Sequence, residues 1–398
     1  MVLLAANAVR VAHFEVPVRT PDESTYLFYA RSLYERGPSA LPEIVREYRS
    51  RPELRDYPSP TRVGHVALQW AAMLVTSNAS VGAATAVSFA ASIGLLLIVW
   101  RLGTFFGPWV APIAMGFLAF SPMDLAMYRR LWGDEPFAFA VTALLWCFLE
   151  FARSGRVGWI VAFAVALAGA LLIKETALFF FGFALWAAWW EGDRRRAVTA
   201  GIAALSAVAV ALVIQTLACG GWEPVREALA GAAGAGDPNE YMRKYQTGGL
   251  EYYAVGLGLL QPVPIALGLL ASVGVAVAAL VARFRRGPAP RLAPAWPPAT
   301  WILGSCIALF MIVALVYPQK NMRFLSPIYP ALFVMAGAAV VAGVGWLMGR
   351  VAVAARPALI GGAILALVAL AYTDHARFVH YFIERGIPDL ATPWFTGP

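Results

Sequence analysis

The segment Thr20-Pro21-Asp22-Glu23-Ser24-Thr25-Tyr26 places two adjacent carboxylates ahead of apolar or aromatic residues at 26, 29, 30, 33 and 34, the spacing of an amphipathic helix. A carboxylate at a helix start can take the proton of an attacking hydroxyl, and Asp22 is the candidate for that task. Glu23 has a plainer role open to it, because Thr20, Pro21 and Glu23 compose a T-x-x-E capping box with proline at the first helical position. A second acidic stretch runs Ser121-Pro122-Met123-Asp124 and on through Tyr128-Arg129-Arg130-Leu131-Trp132-Gly133-Asp134-Glu135-Pro136. There Asp134 either joins the chemistry or caps the next helix, and Arg129 and Arg130 read as arginines snorkelling to lipid headgroups. Two further groups carry cations: Lys174-Glu175, and Lys320 with Arg323 in Tyr317-Pro318-Gln319-Lys320-Asn321-Met322-Arg323-Phe324. Each is weak alone. Gathered on one face, carboxylates for proton transfer and cations for a phosphate make a site for a phosphate-bearing donor.

The elements that must position these residues are membrane helices. Of 398 residues, 60% are hydrophobic and 14% charged, against roughly 45–50% and about 25% in soluble domains. Mean hydropathy is +0.66. This excludes a soluble enzyme, a disordered chain and a nucleic-acid-binding domain, and the long continuous apolar runs exclude a transmembrane β-barrel. The net charge of +8 then reads as arginine anchoring of inner loops. Lysine is nearly absent (Lys174, Lys244 and Lys320), which with abundant alanine and glycine suggests a bacterial source. Three scattered cysteines and four histidines offer no disulfide framework and no metal-ligand spacing.

Apolar segments lie near 1–13, 80–100, 105–121, 137–152, 157–173, 176–190, 197–218, 253–282, 299–317, 325–348 and 357–373, which predicts about 11 spans (10–12) of an all-α polytopic protein. The first is a stub, and no cleavable signal peptide is evident. Residues 62–76 contain Arg62, His65 and Gln69 and read as an interfacial helix. With the N-terminus inside, basic residues are then roughly twofold denser in the inner connectors than in the outer ones, and making 62–76 a span reverses the bias. The arrangement is one transmembrane domain over 1–373. Its first outer loop, 14–79, carries juxtamembrane helices; a second sizeable outer loop covers 219–252, and a short outer tail covers 374–398. Asp22, Glu23, Asp134, Lys174, Glu175, Lys320 and Arg323 all fall on the outer side, while the span interiors read as essentially uncharged, with Glu150 at an inner end and Gln215 and Gln261 as the main polar exceptions. Ion-coupled carriers place ionisable groups near the midplane. A transporter or lipid flippase is therefore the first rival to an enzyme acting at the outer surface, and a non-enzymatic assembly subunit the second.

The order of motifs resembles the GT-C glycosyltransferases, with protein O-mannosyltransferases, aminoarabinose lipid A transferases and the bacterial lipopolysaccharide-type transferases as nearest kin. The matching features are the acidic pair before Tyr26, Pro58 and Pro60 leading to the interfacial helix, and Ser121-Pro122 with Arg129 and Asp134. Lys174-Glu175 follows, then Arg323-Phe324 with Pro327 and Pro330. The departures are the stub of a first span, Pro-Ser-Pro for Pro-Pro, and the short tail. The resemblance implies an inverting transfer from a polyprenyl-phosphate-linked sugar to a lipid or glycan acceptor, less readily a protein, on the periplasmic or exterior face of a plasma (inner) membrane. It implies Asp22 as general base, Glu23 and Asp134 as groups orienting acceptor or base, and Lys174, Lys320, Arg323 and, more weakly, Arg129 on the leaving phosphate. Tyr241 and Tyr245, within 237–253, are candidate lid residues. No cofactor is required by this scheme; Asp22, Glu23 and Asp134 leave a divalent metal open. The expected partners are the lipid-linked donor, the acceptor and membrane lipids, with no nucleic acid.

Overall fold

The computed structural model describes residues 1–14, 20–180, 194–232, 240–249, 251–284, 298–317 and 319–396. Every α-helix and 3-10 turn among them fits an all-helical membrane fold. The helices that matter here are α1 (Val2–Ala12), α2 (Pro21–Arg36), α3 (Leu41–Ser50), α4 (Val63–Thr76), α5 (Val81–Thr104), α6 (Val110–Ala119), α7 (Pro122–Met127), α8 (Asp134–Ser154) and α9 (Val157–Ile173). They continue with α10 (Arg194–Ala218), α11 (Trp222–Ala232), α12 (Glu240–Tyr245), α13 (Glu251–Leu260), α14 (Pro262–Phe284), α15 (Pro298–Val316), α16 (Tyr329–Met348) and α17 (Arg356–Phe378).

Six helices among the described residues are long and apolar enough to cross a membrane, and five shorter apolar ones accompany them. The chain is an integral membrane protein. The expected segments coincide with these helices, with two differences. Most of the span expected at 176–190 lies outside the described residues. The span expected at 253–282 is instead two helices, α13 and α14, broken at Gln261-Pro262. Pro262 cannot donate to the α13 ladder, and the Gln261 amide is used elsewhere: it donates to the Phe117 carbonyl (3.1 Å) and to Asp374 Oδ2 (2.9 Å).

The core is a bundle in which α5 packs on α6 and α8, α8 on α9, α9 on α10, and α16 on α6 and α14. Small residues allow close approach, as in membrane bundles generally. A Cβ on Gly268 of α14 would lie 2.5 Å from the Leu332 carbonyl oxygen of α16. The interior is also less free of charge than the sequence suggests. Arg10 of α1 is fully buried and ion-paired with Asp124 of α7; it donates to Ser92 Oγ (2.7 Å) and the Ala119 carbonyl (3.1 Å). At the other end of the bundle Glu150 accepts from Arg101 (2.7 Å) and Arg153 (2.7 Å), tying α5 to α8.

α4 matters most for the site. A Cβ on Gly64 would fall 2.7 Å from Leu172 Cβ and 2.8 Å from the Leu172 carbonyl carbon, so only glycine lets α4 press against the end of α9. That contact brings Arg62, just before α4, against Glu175, just after α9. Gly64→Val should part the two helices, lower the melting temperature of the detergent-solubilised protein by several degrees, and break the Arg62–Glu175 pair while leaving the remote α14–α16 packing intact.

Candidate active site

The T-x-x-E signal folds as a capping box: Glu23 Oε2 accepts from the Thr20 backbone N–H (3.0 Å) and from Thr20 Oγ1 (3.1 Å). The same carboxylate is fully buried and receives a two-point contact from Arg130, Nε to Oε1 at 2.7 Å and Nη2 to Oε2 at 2.6 Å, plus the Leu131 N–H at 3.3 Å. The resemblance implied a group orienting acceptor or base; Glu23 here is enclosed and pins the start of α2 to the loop before α8. Arg130 is likewise buried rather than snorkelling, because this carboxylate neutralises it. Arg130 also lies over the Trp132 ring at 4.3 Å.

Asp22, one residue earlier, points the other way and stays partly exposed, its side chain 28% accessible. Its Oδ2 accepts from Arg323 Nη2 at 3.0 Å. Arg323 reaches it from the 3-10 turn Met322–Ile328, whose Asn321 cap accepts the Arg323 N–H at 3.0 Å. Residues 301 positions apart therefore share one ion pair.

Asp134 begins α8 and its Oδ1 accepts from Lys174 Nζ at 2.6 Å. Lys174 sits at the end of α9, its ammonium 5.1 Å from the Phe324 ring and 5.7 Å from the Phe137 ring. Burial pulls the Lys174 amine below the ordinary lysine range, and Asp134 opposes that shift. Arg62 completes the cluster, 3.2 Å from Glu175 Oε2 and donating to the Tyr26 hydroxyl at 2.9 Å. The fields of Arg62, Lys174 and Arg323 all act on Asp134, so these ion pairs form one neighbourhood. Sequence reasoning passed over Arg62, reading it only as polarity in an interfacial helix. Its signal was the Pro58-Ser59-Pro60 entry that fixes where α4 begins.

Other expected members are placed elsewhere. Lys320 is buried, with its ammonium donating to the carbonyls of Ala314 (2.9 Å), Leu315 (2.7 Å) and Tyr317. It caps the C-terminus of α15, where a cation is favoured, and does not present its charge to a donor phosphate. Arg129 is buried with its guanidinium 5.8 Å from the Phe378 ring. Tyr241 donates to Asp389 Oδ2 (2.5 Å), and Tyr245 stacks on Trp394 with centroids 5.0 Å apart. Both candidate lid residues therefore rest on the chain's final segment, in which no site residue was expected. Asp22, Glu23 and Asp134 do not converge as ligands for a divalent ion: each faces a different cation, and among the described residues no group of three or more His, Cys, Asp or Glu is arranged to hold a metal.

His65 supports the floor of the site. Fully buried in α4, it meets the Leu131 carbonyl at 2.9 Å and packs edge-on against Tyr26 at 4.5 Å. Burial pushes its pKa down to about 4. The folded state therefore binds the proton less readily than the unfolded chain, whose histidine titrates near 6.5. This contribution is fully present above that value and is lost as pH falls towards 4, up to roughly 3 kcal/mol. Unfolding in detergent between pH 7 and pH 4 should show that loss, and His65→Gln should flatten it.

Comparison with known proteins agrees with this architecture. The family model for dolichyl-phosphate-mannose-protein mannosyltransferase matches residues 63–218. The oligosaccharyltransferase of Archaeoglobus fulgidus superposes with a TM-score of 0.66 at 14% identity, covering 95% of this chain and 55% of its own length. ArnT from Cupriavidus metallidurans superposes at 0.59 with 14% identity, covering 98% and 77%. Its undecaprenyl phosphate-bound form gives 0.56 with 16% identity, covering 99% and 74%. The chain spans about half the length of the oligosaccharyltransferase. The comparison with curated proteins finds no match. The chain thus shares the helical fold of these membrane proteins over nearly its whole length, the GT-C-like fold that the order of its motifs implied.

Proposed function

We propose that this protein transfers a sugar, with inversion, from a polyprenyl-phosphate-linked donor to a hydroxyl of a lipid or glycan acceptor at the extracytoplasmic face of a bacterial inner membrane. The observation that carries this reading is the meeting of Asp22, Asp134, Lys174, Arg62 and Arg323 at the end of the bundle formed by the first turns of α2 and α8, the segments before α4 and α16 and the segment after α9. The bound form of the ArnT relative, which holds undecaprenyl phosphate, supports the donor class.

Asp22 takes the acceptor hydroxyl proton as the oxygen attacks the anomeric carbon from the face opposite the phosphate. The bond between that carbon and the phosphate oxygen breaks, and polyprenyl phosphate leaves with the electron pair. Negative charge grows on the phosphate during this step, so cations aimed there stabilise the transition state more than the ground state. Arg62, Lys174 and Arg323 are the cations in reach of the cluster. Each is held by a carboxylate here, so donor binding exchanges partners rather than filling an empty cradle.

The test is purified protein in liposomes supplied with a panel of polyprenyl-phosphate sugars and membrane-extracted acceptor, following free polyprenyl phosphate. Release with one donor class supports the reading. No release with any donor in the presence of acceptor overturns it.

A further inference from the structure

Arg323 stands between two carboxylates. Its Nη2 donates to Asp22 Oδ2 at 3.0 Å, while its Nε lies 4.0 Å from Asp389 Oδ1 and makes no hydrogen bond. The side chain is held flat by aromatic rings, Trp132 at 5.1 Å and Phe324 at 5.8 Å, so a small shift in the plane of the guanidinium closes the second gap.

Asp389 is built into the site rather than left on a loose end. It is buried and accepts from Asn321 Nδ2 (3.2 and 3.1 Å), from the Leu390 N–H (2.7 Å) and from the Tyr241 hydroxyl (2.5 Å). The segment carrying it is clasped on both sides of the turn. The Met322 N–H donates to the Leu390 carbonyl (3.1 Å), Thr392 Oγ1 donates to the Tyr252 carbonyl (2.7 Å), and Trp394 stacks on Tyr245 at an interplanar angle of 8°.

We propose that Asp389 is a positioning residue that competes with Asp22 for Arg323 and thereby frees the base. Resting on the transferase reading above, the sequence of contacts is as follows. When Arg323 turns towards Asp389, its Nε–H donates to Asp389 Oδ1 and its Nη2 lets go of Asp22 Oδ2. Asp22 then has a lone pair open to the acceptor hydroxyl. An Asp22 locked to Arg323 has that lone pair occupied and cannot receive the hydroxyl proton there. Tyr241 and Asn321 also donate to the Asp389 carboxylate and so share it with Arg323. They also make the clasp of α12 and the final segment part of how the base is set.

Asp389→Asn keeps the side-chain shape and removes the competing charge. The full-length protein in detergent is treated at one fixed pH with a carbodiimide and a nucleophilic amine, and Asp22 labelling is read by mass spectrometry against the exposed Glu43 as internal standard. Labelling of Asp22 should slow about threefold or more in Asp389→Asn, because Arg323 then has only Asp22 to hold. In the release assay kcat should fall about tenfold with donor KM changed less than twofold, and Asp389→Glu, which keeps the charge, should recover most of it. Should Asp389→Asn fail to fold, Tyr241→Phe serves: with one donor removed, Asp389 attracts Arg323 more strongly, and Asp22 labelling should quicken. Unchanged or faster Asp22 labelling in a folded Asp389→Asn, or unchanged or slower labelling in Tyr241→Phe, overturns the proposal. The labelling is read with no donor present, so a wild type that turns over no donor sinks the transferase reading and leaves the labelling to decide this one.

Discussion

Asp22→Asn should lower the release of polyprenyl phosphate at least a hundredfold while leaving the protein folded. General-base catalysis is worth roughly 10²–10⁴ in rate, and no other described carboxylate occupies the same position. Asp134 is held by Lys174, Glu23 by Arg130 and Glu175 by Arg62. The fold should survive because Asp22 is partly exposed and the Arg323 guanidinium keeps the Asp389 and Asp134 carboxylates nearby. The measurement is the liposome assay with thermal unfolding run on the same preparation. Equal release by mutant and wild type would keep the enzyme class and remove Asp22 from the proton transfer.

The neighbouring substitution should behave in the opposite way. Glu23→Ala leaves Arg130 buried with its partner gone, and breaking a buried ion pair from one side costs about 3–5 kcal/mol. It removes the reciprocal contact of the capping box as well, roughly a further 1 kcal/mol. The expected result is a large fall in melting temperature in detergent together with loss of activity, since α2 no longer enters at the angle that aims Asp22 at Arg323. The double variant Glu23→Leu with Arg130→Met should regain much of the stability, because the buried charge is then gone from both sides, yet recover little activity. A Glu23→Ala protein as stable as wild type but inactive would instead place Glu23 in contact with substrate. The two adjacent carboxylates thus separate by mechanism: one substitution acts on rate, the other on folding.

This difference between Asp22 and Glu23 was not legible from their types. Both are acidic, adjacent and at a helix start. What divides them is the direction each side chain takes from the first turn of α2, where consecutive residues are turned about 100° apart. One direction meets Arg130 in the interior and the other meets Arg323, leaving the Asp22 side chain 28% accessible. The capping alternative for Glu23 was readable, since a capping box is a contact within four residues. Its second partner, 107 positions away, was not.

The same reasoning accounts for the cations. Lys174 follows directly on the apolar run 157–173, a local feature, and the structure gives it Asp134. Lys320 and Arg323 are three residues apart in one loop and looked alike. The chain turns Lys320 back on the carbonyls that α15 leaves unpaired at its end, and sends Arg323 outwards from the following 3-10 turn. Asp389 had no motif around it. Its place depends on how the chain's last segment folds over α12 and α13, which is settled by stacking and backbone contacts distant in sequence.

By itself the sequence determined that this is a helical membrane protein, where most of its helices run, and that acidic and basic residues collect in loops on one side. Those properties follow from hydrophobicity summed over about 20 residues and from signals within a helical turn or two, which need no knowledge of distant neighbours. Only the tertiary structure decided which charge meets which. An ion pair joins whatever side chains the packing brings within a few ångströms, and here that packing depends on a glycine at 64, a break at Gln261-Pro262 and a folded-back final segment.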